Sequence, residues 1–133
     1  RLPGFPRAVA VEPGGGEAQQ LMFVAHVDDE SLFASHLFEE AGPAWVVVVA
    51  CMPEEAEEQL VREAELRAAL GVSRRVAQAH LLGFPECSRC APLHPAVYDD
   101  LAAVLSAGRW TRVVTHGPFG EYGHAQHREL FLA

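Results

Sequence analysis

At 133 residues the chain is long enough for one domain with a real hydrophobic core, and its composition, 50% hydrophobic and 21% charged, is that of a globular protein. A formal net charge of −8 argues against a general nucleic-acid or anionic-membrane binder, which would carry surplus Lys and Arg. No stretch approaches the roughly 18–20 continuous apolar residues of a bilayer span, so no transmembrane segment is expected.

The chain begins Arg1-Leu2-Pro3-Gly4, without Met and without a following apolar signal region, which points to a processed, trimmed or partial chain. Residues 1–19 carry Pro3, Pro6, Pro13 and Gly14-Gly15-Gly16, and read as an arm and turn with one short strand at 8–11. Residues 21–26 form the first buried strand. Directly after it stand one imidazole and three carboxylates, His26, Asp28, Asp29 and Glu30. That charge density beside an apolar strand is costly unless something positive sits there, and a divalent metal is the economical explanation.

A helix over 31–40 follows, with Leu32, Phe33, Leu37 and Phe38 at helical spacing and Gly42-Pro43 closing it. Residues 45–51, WVVVVAC, are a continuous β-branched run, the pattern of a strand buried on both faces. A helix over 54–70 stops at Gly71, a strand occupies 76–83, and an amphipathic helix over 94–107 stops at Gly108. Strand 111–116 then leads through the Gly/Pro loop 117–123 into a helix from about residue 124. This alternation predicts right-handed βαβ units and a mainly parallel sheet with helices on both faces. Both polar clusters, 26–30 and 116–127, fall at carboxyl ends of strands, where open α/β sheets bind ligands.

His124 and His127 are three apart and share one face of a first helical turn. Taken alone, such a pair is most simply a surface feature. With the carboxylate-rich strand end it becomes the other half of a metal site. Catalytic zinc takes about three ligands from His, Asp and Glu and leaves a position for water. A nearby carboxylate then serves as base and an imidazole as acid.

Three motifs carry a family resemblance. AHVDDE (25–30) resembles the AHPDDE signature of the PIG-L/LmbE-like zinc-dependent deacetylases, and YGHAQH (122–127) resembles their YGHPDH. REAELRAAL (62–70), leading into Gly71-Val72, is similar to their RxxELxAAL helix. The resemblance covers residues 20–130. It implies a Rossmann-like three-layer fold and removal of an N-acetyl group from an N-acetylglucosamine-type amino sugar or conjugate: a glycolipid, a thiol precursor or an antibiotic. It further implies one zinc per chain on His26, Asp29 and His127, with Asp28 as general base. His124 would stabilise the tetrahedral intermediate or protonate the departing amine, Tyr122 would polarise the acetyl carbonyl, and Arg62 would contact the sugar or an attached group. Glu30 is then an orienting partner of the site, and His116 a structural or outer one.

Each assignment has a plainer competitor. Asp28, Asp29 and Glu30 are also good N-cap chemistry for a helix beginning near Ser31, and Arg62 is placed to pair with Glu58 or Glu65 along its helix. The sequence departs from the family at Val27, in place of proline, and at Ala125-Gln126, in place of Pro-Asp. An aspartate at 126 would hold a neighbouring histidine's tautomer, so Gln126 predicts a weaker acid at His124. The chain also stops six residues after His127, where the family continues, so it is expected to be incomplete at its C-terminus.

Three cysteines do not make a disulfide framework, which favours a reducing, cytoplasmic setting. Cys87 and Cys90 form a lone C-x-x-C without a second pair; Glu86 beside them is a candidate substrate contact. The rival functions are a metal-dependent phosphoesterase, which normally needs more carboxylates, and a catalytically impaired relative that binds metal or sugar.

Overall fold

Four strands form one parallel sheet among the described residues, in the order β3-β2-β1-β4. They are β1 (Gln19–Val24), β2 (Trp45–Met52), β3 (Val76–Pro85) and β4 (Trp110–Val114). The helices are α1 (Asp29–Ala34), continued by a 3-10 turn at Ser35–Glu39, then α2 (Ala56–Gly71), α3 (Ala96–Ala107), the single turn α4 (Gly120–Gly123) and α5 (Ala125–Leu132). The structure is a computed structural model that describes residues 17–86 and 93–133. The strand expected at 8–11 and the pair Cys87 and Cys90 lie outside these residues.

The two central strands explain the layering. Side chains alternate along a strand, so β1 and β2, apolar at nearly every position, must bury both faces. Leu21, Phe23, Val46, Val48 and Ala50 meet Val97, Leu101 and Val104 of α3 and Leu130 of α5 on one face. Met22, Val24, Val47 and Val49 meet Leu37 and Phe38 of the 3-10 turn and Leu66 and Leu70 of α2 on the other. This is the expected Rossmann-like arrangement.

Topology then sets the site. The chain steps from β1 to β2 to β3 with its helices on one face, and crosses back on the other face through α3 to lay β4 beside β1. Strand order therefore reverses between β1 and β4, and the carboxyl ends of these neighbours open a crevice. Both strands end two residues earlier than the apolar pattern predicts, at Val24 and Val114, so His26 and His116 stand beyond the ladder. α1 begins at Asp29, not Ser31, because the chain turns sharply at Asp28. β3 runs on to Pro85, and α2 starts at Ala56 and keeps Gly71 as its last residue. No helix among the described residues is long and apolar enough to cross a membrane.

Candidate metal centre

The first half of the site is built by the turn after β1. Asp28 adopts φ 113°, ψ −25°, a left-handed conformation that non-glycine residues avoid. Two bonds hold it there: the Asp28 N–H donates to Glu30 Oε2 (3.1 Å), and the His26 N–H donates to Asp29 Oδ2 (2.8 Å). The turn sends Asp28 outward, its side chain 49% exposed, and buries Asp29 and Glu30 almost fully. Asp28 stands at the N-cap of α1, yet its side chain makes no capping bond. Capping does not account for it.

The second half comes from the loop after β4. Gly120 takes φ 62°, and a Cβ there would lie 2.8 Å from Arg128 Cγ and 3.3 Å from His127 Cβ, so only glycine lets the loop lie against α5. His124 caps α5, its Nδ1 accepting the Gln126 N–H (3.2 Å). This places His127, fully buried, one turn inside the helix and under the end of β1.

Across the crevice three atoms converge. His26 Nδ1 and His127 Nε2 are 3.0 Å apart, and Asp29 Oδ2 is 3.3 Å from the first and 3.2 Å from the second. The outer partners assign the tautomers. His26 Nε2 lies 2.8 Å from Gln126 Oε1, an acceptor, because the Gln126 amide nitrogen donates to the Pro85 carbonyl (3.2 Å). His127 Nδ1 lies 2.7 Å from Glu121 Oε2. Each ring therefore gives its proton outward and turns a bare nitrogen inward. His116 adds none either, since its Nε2, 3.4 Å from Asp29, accepts the Ala25 N–H (2.9 Å). Three lone pairs facing one another without a donor require a proton or a cation between them. Their spacing is close to the edge of a tetrahedron with ligand bonds of about 2.0–2.2 Å, so the donor set fits zinc. Around this core the triples His26/His124/His127 and Asp29/His116/His127 also come within 4.8 Å.

A cavity of about 400 Å3 opens on the His26 and Asp29 side of the trio, lined by His26, Val27, Asp28, Asp29, Leu32, Arg62, Glu86, Tyr122 and His124. Asp28 and Arg62 approach each other at 4.0 Å across it. Arg62 also pairs with Glu65 (3.1 Å), one of the two helical partners expected. Tyr122 is largely exposed, its ring edge-on to His124 at 5.8 Å.

The electrostatics follow from this crowding. Burial would raise the Asp29 carboxyl, but the close imidazoles of His116, His127 and His26, with the His26 backbone N–H, hold it far below the usual carboxylate range. Burial and the Asp29 charge raise Asp28, against the pull of Arg62. His124 is lowered by burial and then by its neighbours His26 and His127. His26 is lowered by burial but raised more strongly by Asp29 and Gln126, and ends above its ordinary value.

A family model described as PIG-L, GlcNAc-PI de-N-acetylase, matches residues 21–133. The chain belongs to the PIG-L family. No curated protein and no solved structure matches it. PIG-L proteins are deacetylase-type hydrolases, typically metal-dependent, that act on N-acetylated sugars. Of the residues singled out in this PIG-L chain, His26, Asp29 and His127 meet at the trio, while Asp28, Arg62, Tyr122 and His124 line the adjoining cavity.

Two points differ from expectation. The Gln126 side chain acts on His26; His124 is touched by its backbone N–H alone among the bonds described, so the low basicity of His124 comes from burial and its histidine neighbours. Glu30 touches no member of the trio and instead supports the Asp28 turn. Glu121 is a further site residue, and none of the motifs marks it. The available signal was a carboxylate five residues after one buried histidine and six before another, inside a glycine-rich loop.

Proposed function

We propose that this chain is a zinc-dependent amidohydrolase that removes the acetyl group from an N-acetylglucosamine-type amino sugar or its conjugate. The observation that carries the reading is the convergence of three potential ligand atoms, His26 Nδ1, Asp29 Oδ2 and His127 Nε2, within 3.3 Å of one another beside a cavity lined by Asp28 and His124 in a PIG-L chain. Those three residues would hold the ion. Zinc supplies a Lewis acid and brings the pKa of a bound water towards about 7. Asp28, ionised and beside the trio, accepts the proton of the attacking water. Burial and the Asp29 charge raise its pKa, which makes it a better base than an ordinary carboxylate.

The Tyr122 hydroxyl donates to the carbonyl oxygen as negative charge develops there. A neutral His124 carries its proton on Nε2, since Nδ1 is occupied by the Gln126 N–H, and donates it in a hydrogen bond to the tetrahedral intermediate, while the proton that Asp28 took from water passes to the nitrogen as the C–N bond breaks. Acetate and a free amine leave. Arg62 and Glu86, on the cavity wall, are placed to hydrogen-bond sugar hydroxyls. The His127 geometry supports one ion per chain: its Nδ1 is bonded to Glu121, which leaves a single nitrogen for an ion. That disfavours a two-metal phosphoesterase. Location in the cytoplasm belongs to the same proposal.

Metal analysis combined with amine release across N-acetylated sugars tests the reading. One zinc per chain with release of acetate supports it. Two metals with phosphate release from phosphoesters, or a full metal load with no turnover on any N-acetylated sugar, would sink it.

A further inference from the structure

We propose that Glu121 is the positioning carboxylate that assembles this metal centre, fixing His127 with its Nε2 bare and joining the two strand ends through His116. The inference rests on the reading of His127 as a ligand.

One oxygen of Glu121 serves two rings. Oε2 accepts the Nδ1–H of His127 (2.7 Å) and that of His116 (2.9 Å), while Oε1 accepts the Gly117 N–H (2.8 Å). The two imidazoles lie stacked beneath it, centroids 3.8 Å apart and planes 20° from parallel. His116 then passes the connection on, its Nε2 accepting the Ala25 N–H at the end of β1. The path Ala25, His116, Glu121, His127 thus runs from the first strand end, through the loop after β4, to a ligand. Every step is a hydrogen bond with one sensible donor.

The backbone of Glu121 gives an independent sign. It adopts φ 56°, ψ −69°, a conformation favourable to glycine and strained for glutamate. The strain is held by the three bonds of the carboxylate, which folds inward, its side chain 20% exposed. Glycine would hold this loop more comfortably and do nothing for the histidines.

Charge completes the assignment. The outward N–H of His26 goes to a neutral amide, Gln126. Among the described residues, Glu121 is the carboxylate that accepts the outward N–H of a ligand histidine, and an anion in that place fixes the ring and strengthens its other nitrogen as a donor to metal. The site's outer negative charge therefore lies on the His127 side.

Glu121→Gln and Glu121→Gly in the full chain separate positioning from scaffolding. Gln keeps the shape without the charge; Gly relieves the strained backbone while deleting the carboxylate. Zn2+ affinity, read by competition with a chromophoric chelator, should fall about 10–100-fold in both variants. In the metal-free protein, 15N NMR of the imidazoles should show His116 and His127 protonated at Nδ1 in the parent chain, and mixed tautomers in both variants. Parent-like tautomers with zinc affinity within about twofold of the parent would overturn the inference. If the parent chain itself holds no zinc, the deacetylase reading falls, and the tautomer comparison still decides whether Glu121 positions the rings. Should Glu121→Gln fail to fold, the glycine variant carries the test.

Discussion

The two halves of the site are built on opposite plans. The half after β1 is short, acidic and local: a single strained turn at Asp28 aims three carboxylates in different directions within one helical start. The half after β4 is long, histidine-rich and dependent on its loop, where Gly120 and Glu121 take left-handed conformations to bring His127 into place. Each half also borrows support from the other. Gln126 orients His26, and Ala25 anchors His116. The lesson is that negative charge and tautomer control are supplied separately, and neither half presents a finished ligand set by itself.

The largest effect should come from removing the ligand that the second half supplies. His127→Ala should lower zinc affinity by more than about 100-fold, beyond the loss typical of an outer partner, and metal analysis should find the chain essentially empty. Full retention of zinc would mean the third ligand lies elsewhere. Asp28→Asn should separate binding from chemistry: zinc stays, while turnover falls about 10^2–10^4-fold, the range of a lost general base. Unchanged amine release would remove Asp28 from that role.

A third test uses pH. Burial lowers His26, but Asp29 and Gln126 raise it more, so protons compete for its Nδ1 from near-neutral pH downward. Zinc affinity should be flat above that pKa and fall by up to about tenfold per pH unit below it. A flat chelator-competition profile down to about pH 5.5 would contradict the ligand assignment.

Two smaller effects sharpen the contrast. Gly120→Ala places a methyl against Arg128 and His127 at positive φ, and should cost about 1–3 kcal/mol, read in a denaturant titration. No loss would mean the loop is looser than its contacts imply. Arg62→Ala, which removes a partly exposed ion pair, should change stability by less than about 1 kcal/mol and act mainly through KM. A drop confined to kcat would place Arg62 nearer the chemistry than the cavity wall.

Much of this was legible in the chain. The apolar runs at β1 and β2 marked a sheet buried on both faces, because strands without alternation have no solvent side. His26, Asp28 and Asp29 were legible for the same reason: their adjacency to a buried strand has an electrostatic cost that is visible locally. His127 emerged through the motif. Glu121 did not, because its importance depends on a positive φ and on two rings meeting over it, and neither is encoded in neighbouring residue types. The destination of the Gln126 side chain was hidden likewise, since an N-capped first turn swings residue 126 away from His124 and towards β1.

The placement of β4 beside β1 has a consequence for folding. The bonds that close the crevice, Ala25 to His116 and His26 to Gln126, span 91 and 100 residues of chain. Contacts of such separation form late, since the entropy of closing so long a loop must be met before they reward it. Zinc bound at the closed crevice and not to the unfolded chain would draw the folding equilibrium forward by mass action. The ion would then act as a clasp on the last crossover of the fold, and chelation should loosen β4 from its neighbour before it disturbs the β1–β2 centre.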